Sequence, residues 1–211
     1  MIEFYTWFTP NGRKVAILLE ELGIEYNTHS VNIGKDEQFD PEFLKISPNN
    51  KIPAILDTDN NYPLFETGAI LLYLAEKHGK FLNTKDRDAY WRTMEWLMWQ
   101  MGGFGPILGQ VHHFTKYNPG KSDYAQERYE TEARRLYRVL NERLEGREFI
   151  VDDYSIADMA CWPWAARHNW QEIDLNDYPN VRRWYMTMLD RPAVQAAWNI
   201  PENDQPLPIP E

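Results

Sequence analysis

Strand-like and helical segments alternate as far as residue 78, and beyond Gly79 the strand patterns stop. A chain with that change of texture must build two packing units of different class. In the first stretch Ile2 to Tyr5 is strand-like, and Val15 to Leu22 has helical spacing ended by Gly23, a residue suited to a left-handed cap. Glu25 to Ile33 alternates as a second strand, Ala54 to Asp57 and Pro63 to Phe65 suggest two further short ones, and Thr67 to His78 is helical. The order is β-α-β, a loop, then β-β-α. Spacing alone makes this an α/β unit.

The second stretch is all helical. Amphipathic spacing covers Asp86 to Gln100, Tyr124 to Leu144, Ser155 to Asn169 and Tyr178 to Leu189. The expected organisation is therefore an α/β domain over 1–78, a linker at 79–83, an all-α domain over 84–200 and an irregular, proline-rich acidic tail at 201–211. Ser155-Ile156-Ala157-Asp158 can close a capping box, with Asp in place of the usual Glu or Gln. Gly102-Gly103-Phe104-Gly105-Pro106 should break or bend a helix.

Composition excludes several functions. A net charge of -10 opposes nucleic-acid binding, which depends on neutralising phosphates with Lys and Arg. No apolar run reaches the roughly 18 residues of a membrane span, and the first residues carry no signal-peptide pattern, so a cytoplasmic protein is expected. Cys161 is the single cysteine, which rules out an intrachain disulfide, a Cys-x-x-Cys redox pair and a thiolate zinc cage. Thiol chemistry must use a thiol from outside.

Three segments can carry chemistry. In Ser47 to Ile55 a proline, Pro53, stands immediately before a strand. A cis Ile52-Pro53 bond would turn the N–H and C=O of Ile52 outward, where an extended peptide could pair with them, although a plain strand-initiating proline fits equally well. In Phe65-Glu66-Thr67-Gly68 a strand ends and a helix begins. Helix-start amides and the Thr67 hydroxyl suit a carboxylate, and Glu66 suits an ammonium, so together they match an amino-acid zwitterion; the plainer reading is helix capping by either residue. In Tyr5 to Gly12, Thr9 and Asn11 can donate to a thiolate at the carboxyl end of the first strand, or simply cap the helix that follows.

In this order and at these distances, the proline-bearing loop, the Glu-(Ser/Thr)-Gly helix start and the Ser155 to Asp158 box resemble glutathione transferases from Ile2 to about Trp198. Phe8 to Gly12, Ser47 to Ala54, Phe65 to Glu76, Gly109 to Phe114 and Cys161 to Trp164 are similar to the bacterial Nu class and the related yeast nitrogen-regulatory prion protein domain. The resemblance implies a thioredoxin-like α/β N-terminal domain followed by an all-α domain, and glutathione as cosubstrate. It implies that Glu66 and Thr67 hold the γ-glutamyl end, that Ile52, before Pro53, pairs with the cysteinyl part, and that Gln38 and Lys51 meet the glycyl carboxylate. It also implies that Thr9 and Asn11 face the sulfur and that Arg128 lies near the ligand. The activity implied is glutathione-dependent disulfide-bond reduction with weak conjugation, in a homodimer. A small disulfide or electrophile would be the other substrate. Tyr5 is a reserve candidate for the thiol, since no cysteine occupies the first loop.

Other features invite less. His112 and His113 point about 100° apart on a helix, with no carboxylate at i+3 or i+4, which speaks against a metal site. Cys161 and most of the nine tryptophans fall at core spacing. Two readings compete with the reductase: a transferase acting mainly on electrophiles, and a glutathione-binding regulatory module without catalysis.

Overall fold

A computed structural model of the chain describes residues 1–210. In chain order the strands are β1 (Ile2–Thr6), β2 (Tyr26–Ser30), β3 (Ala54–Asp57) and β4 (Tyr62–Phe65). The helices are α1 (Pro10–Leu22), α2 (Pro41–Leu44), α3 (Thr67–His78), α4 (Arg87–Trp99), α5 (Gly105–Val111), α6 (Asp123–Arg143), α7 (Ile156–Ala165), α8 (Pro179–Leu189) and α9 (Pro192–Trp198).

Contacts divide the described residues into two units, one of 1–82 with 191–207 and one of 83–190 with the remaining tail residues. The first is built on a four-stranded mixed sheet of order β2-β1-β3-β4. β1 and β2 run parallel, with Ile2 opposite Tyr26, whereas β1–β3 and β3–β4 are antiparallel. This is the thioredoxin-like arrangement. Phe4 and Ile55 on the sheet, Val15, Leu18 and Leu19 on α1, and Ile70, Leu71 and Leu74 on α3 are fully buried, so the apolar spacing read in each segment is the face it buries. Gly23 and Gly79 end α1 and α3 in the left-handed conformation.

α9 packs along α1 in the opposite direction. Arg191, just before α9, meets Glu21 near the end of α1 through a two-pronged ion pair of 2.6 and 3.1 Å. This packing groups 191–207 with the first unit, while the sequence pattern had run the helical domain on to 200.

The second unit is all helical. α4 and α5 form one continuous helix through a wider turn at Gln100–Phe104, where the Gly105 N–H reaches back to the Gln100 carbonyl. The glycines and proline therefore loosen the helix without breaking it, as the i→i+5 bond keeps the ladder satisfied. A Cβ on Gly105 would lie 2.6 Å from Gln100 Nε2 and 3.2 Å from Trp164 Nε1, so close packing against α7 is what the glycine allows. The capping box forms as expected: the Ser155 N–H donates to Asp158 Oδ2 at 3.0 Å and the Ser155 hydroxyl accepts from the helix start. No helix among the described residues is long and apolar enough to cross a membrane.

Candidate functional site

The loop after β1 delivers Thr9 and Asn11. Thr9 is the N-cap of α1, its Oγ accepting from the Gly12 N–H at 3.2 Å. A hydroxyl has one donor and two acceptor positions, so capping leaves the Thr9 proton able to point at a second group. Capping and thiolate donation are compatible at this residue. Gly12 makes the turn possible, because a Cβ there would stand 2.3 Å from the Trp7 carbonyl and 2.4 Å from Thr6 Oγ1.

The segment before β3 delivers Lys51, Ile52 and Pro53. The Ile52-Pro53 bond is cis. Buried Ser47 holds the turn, donating from Oγ to the Lys51 carbonyl at 2.8 Å and accepting the Asn50 N–H at its own carbonyl at 2.9 Å. The main-chain N–H and C=O of Ile52 bond to no other described residue, which leaves them available to an extended peptide.

The β4–α3 junction delivers Glu66 and Thr67. Glu66 adopts φ 72°, ψ 118°, a conformation that costs a non-glycine residue about 1–3 kcal/mol. Its side chain makes no capping bond to α3 and stays exposed, its Oε1 accepting from Asn49 Nδ2 at 3.4 Å. The simple capping reading thus fails for Glu66. Thr67 opens α3 and is buried, and the helix start carries a partial positive charge that favours an anion.

Asn11, Lys51, Ile52, Pro53, Phe65, Glu66 and Thr67 line one cavity of about 230 Å³. Three sequence-distant segments converge, offering helix-start amides, a carboxylate, an ammonium, an unpaired main-chain edge and a side-chain amide. Phe65 was missed as a site residue because its apolar side chain reads only as the end of a strand. Asn49 was missed too, although it stands inside the proline-bearing segment.

Gln38 does not line this cavity. It sits in a short turn with Nε2 3.5 Å from Asp36 Oδ1. Arg128 belongs to the helical unit, exposed on α6, and lines a separate groove with Ile107, Tyr124 and Glu127. Tyr5 stacks on His29 at 4.6 Å and packs with Phe43, and burial, with a smaller contribution from Glu3, raises its pKa. It is a neutral member of the cluster around Val31 and Ala54, and not a lining residue.

His112 is buried between Trp164 and Trp170, and its Nε2 accepts from Gln171 Nε2 at 3.2 Å. Burial first, and Arg167 second, hold its pKa down to about 4, so the ring is neutral at physiological pH. Cys161 is fully buried. Among the described residues no group of three or more His, Cys, Asp or Glu side chains is placed to hold a metal.

The family model of the Glutathione S-transferase N-terminal domain matches residues 1–76, and that of the C-terminal domain matches residues 104–192. The chain is 52% identical over 205 residues to the disulfide-bond oxidoreductase YfcG of Escherichia coli, covering 93% of this chain and 94% of the relative. A glutathione transferase from Pseudomonas putida, solved with one glutathione disulfide bound per subunit, superposes with a TM-score of 0.89 at 42% identity over 95% of this chain and 91% of that one. A glutathione transferase from Burkholderia graminis, with two glutathione molecules bound per subunit, gives a TM-score of 0.89 at 40% identity over 96% and 89%. The chain belongs to the glutathione S-transferase family, as one of its enzymes.

Proposed function

We propose that this enzyme is a glutathione-dependent disulfide-bond reductase of the Nu class with weak transferase activity, working as a cytoplasmic homodimer. The observation that carries the reading is the convergence of Asn11, Ile52, Glu66 and Thr67 on one cavity whose chemistry is complementary to a γ-glutamyl tripeptide. Glu66 meets the ammonium, and the Thr67 amide and hydroxyl meet the γ-glutamyl carboxylate. Ile52, set by Pro53, pairs with the cysteinyl backbone as an added strand would. Lys51 and Gln38 take the glycyl carboxylate, and Arg128 an outlying part of the ligand. The names of the similar YfcG protein and the glutathione-bound state of the solved neighbours support the same substrate class.

Thr9 and Asn11 donate hydrogen bonds to the glutathione sulfur and favour its anion, aided by the start of α1. That thiolate attacks one sulfur of a small disulfide. The S–S bond breaks, a mixed disulfide forms, and the other half leaves as a thiolate that takes up a proton. A second glutathione thiolate then attacks the glutathione sulfur of the mixed disulfide, giving oxidised glutathione and releasing the second thiol. No protein cysteine takes part, in keeping with burial of Cys161.

The test is reduction of hydroxyethyl disulfide by glutathione, measured beside conjugation to a chloronitrobenzene, for the wild type and for Thr9→Ala and Asn11→Ala. Loss of most reductase activity in both variants, with glutathione binding retained, is expected. Full rates in both would remove the thiolate roles, and conjugation outrunning reduction would make this a transferase for electrophiles.

A further inference from the structure

α1 carries a buried guanidinium one turn beyond the thiol-facing loop. Arg13 is 1% exposed, and its N–H closes the first helical turn on the Thr9 carbonyl at 3.1 Å. Its guanidinium lies 3.4 Å from the centroid of the Trp198 ring. Nε and Nη2 donate to the Trp198 carbonyl at 3.4 and 3.2 Å, and Nη2 also donates to Gln205 Oε1 at 3.0 Å. The Trp198 indole N–H donates in turn to the carbonyls of Gln205 and Pro206 at 3.2 and 2.9 Å. Asn203 Nδ2 closes the loop on the Trp198 carbonyl at 3.2 Å. The segment after α9 is thereby wrapped around one side chain of the first turn of α1.

The placement is costly. A cation opposes the dipole at a helix N-terminus, and desolvating a guanidinium carries a penalty. The first turn nevertheless holds buried Arg13, with buried Lys14 directly after it, and no acidic residue. Docking α9 does not demand this, because Arg191 and Glu21 already clasp the far end of α1. What the Arg13 clamp reaches, and the far-end pair does not, is the turn whose carbonyl and hydroxyl belong to Thr9.

We infer that Arg13 is a positioning residue for the thiolate site, clamped by Trp198 and Gln205 so that the first turn of α1 presents Thr9 and Asn11 to the sulfur in one orientation. The inference rests on assigning those two residues to the glutathione sulfur. Residues 198–206 then act on thiol ionisation through Arg13 without touching the ligand. Arg13→Lys keeps the charge but loses the planar fork and its stacking on Trp198. Gln205→Ala removes one acceptor and leaves Arg13 in place.

The experiment measures the pKa of bound glutathione from thiolate absorbance against pH, together with kcat and KM for hydroxyethyl disulfide reduction. Arg13→Lys should raise the thiol pKa and lower kcat about tenfold, as small misplacements of positioned groups do. KM for glutathione should stay within about twofold, because the cavity residues are untouched. Gln205→Ala should move both readouts the same way by a smaller factor, and it decides the matter if Arg13→Lys does not fold. Folded variants with unaltered thiol pKa and kcat, or with KM alone changed, overturn the inference. If the wild type binds glutathione without reducing disulfides, the reductase reading fails while the thiol pKa still decides on Arg13. If it binds none, both readings fall.

Discussion

The Glu66 carboxylate lies 3.4 Å from the Asn49 side-chain amide, so the turn that leads to Pro53 and the start of α3 brace one another. Each segment alone is an ordinary turn or helix start. Braced together, they hold a carboxylate beside helix-start amides at fixed spacing, which is the requirement for gripping a zwitterion.

Glu66→Gln keeps the shape and removes the charge. A charge-assisted hydrogen bond contributes about 1.5–3 kcal/mol, so KM for glutathione should rise roughly tenfold or more. Because Glu66 makes no capping bond, the melting temperature should hardly move. Glu66→Gly should do something different: relieving a left-handed backbone at φ 72° should stabilise the fold by up to about 1 kcal/mol while abolishing tight binding. Steady-state kinetics and thermal melts separate the two effects.

Gly12→Ala tests the loop that carries Thr9. The added Cβ would meet the Trp7 carbonyl oxygen at 2.3 Å and Thr6 Oγ1 at 2.4 Å, and a backbone oxygen cannot move aside without shifting the turn. Overpacking of this kind costs about 1–3 kcal/mol. The expected outcome is lower stability in urea and a fall in kcat exceeding that of an equally destabilised core variant, because the displaced turn holds Thr9.

Most of the scaffold was legible in the sequence because burial patterns carry it. β3 and α3 fall where alternation and helical spacing place them, and the Ser155–Asp158 box caps α7 as its residue types require. α9 was not legible: Pro192–Trp198 is short, and its apolar face is decided by packing on α1 across nearly the whole length of the chain. The glycine-rich stretch at Gly102 to Gly105 reads as a break or bend because backbone freedom is visible in sequence, whereas an i→i+5 bond is not. Among the residues lining the cavity, Ile52 and Glu66 could be chosen by residue type. The Asn49 brace and the Arg13 clamp depend on contacts between distant segments, which no local pattern encodes.

Asp158 holds more than a helix cap. Its carboxylate accepts from the N–H of Ile150 and Ser155 at 2.9 and 3.0 Å, from the Ser155 hydroxyl at 3.2 Å and from the Trp184 indole at 2.9 Å, all within the core. Asp158→Asn turns an amide donor toward some of these donors and leaves them unsatisfied. The cost should be about 2–4 kcal/mol in urea unfolding, with KM for glutathione unchanged in the folded fraction.

The pH dependence of stability should expose His112. Its pKa of about 4 in the folded chain, set mainly by burial, lies below the value of 6.5 expected when unfolded. Between those values the unfolded chain binds a proton that the folded chain refuses, so stability rises with pH: the contribution is complete above about 6.5 and lost as pH falls toward 4. Asp158 works in the opposite sense, its pKa raised to about 6 chiefly by burial, so its contribution is lost as pH rises from about 4 to 6. The two partly cancel in the wild type. His112→Gln removes one of them and can keep a polar contact with Gln171, which also accepts from the Tyr137 hydroxyl at 2.7 Å. Relative to the wild type, the variant should gain about 2 kcal/mol on going from pH 7 to pH 5. Urea unfolding of both proteins at the two pH values measures that difference, and a difference that does not change with pH would mean that His112 takes up its proton as readily in the folded core as in the unfolded chain.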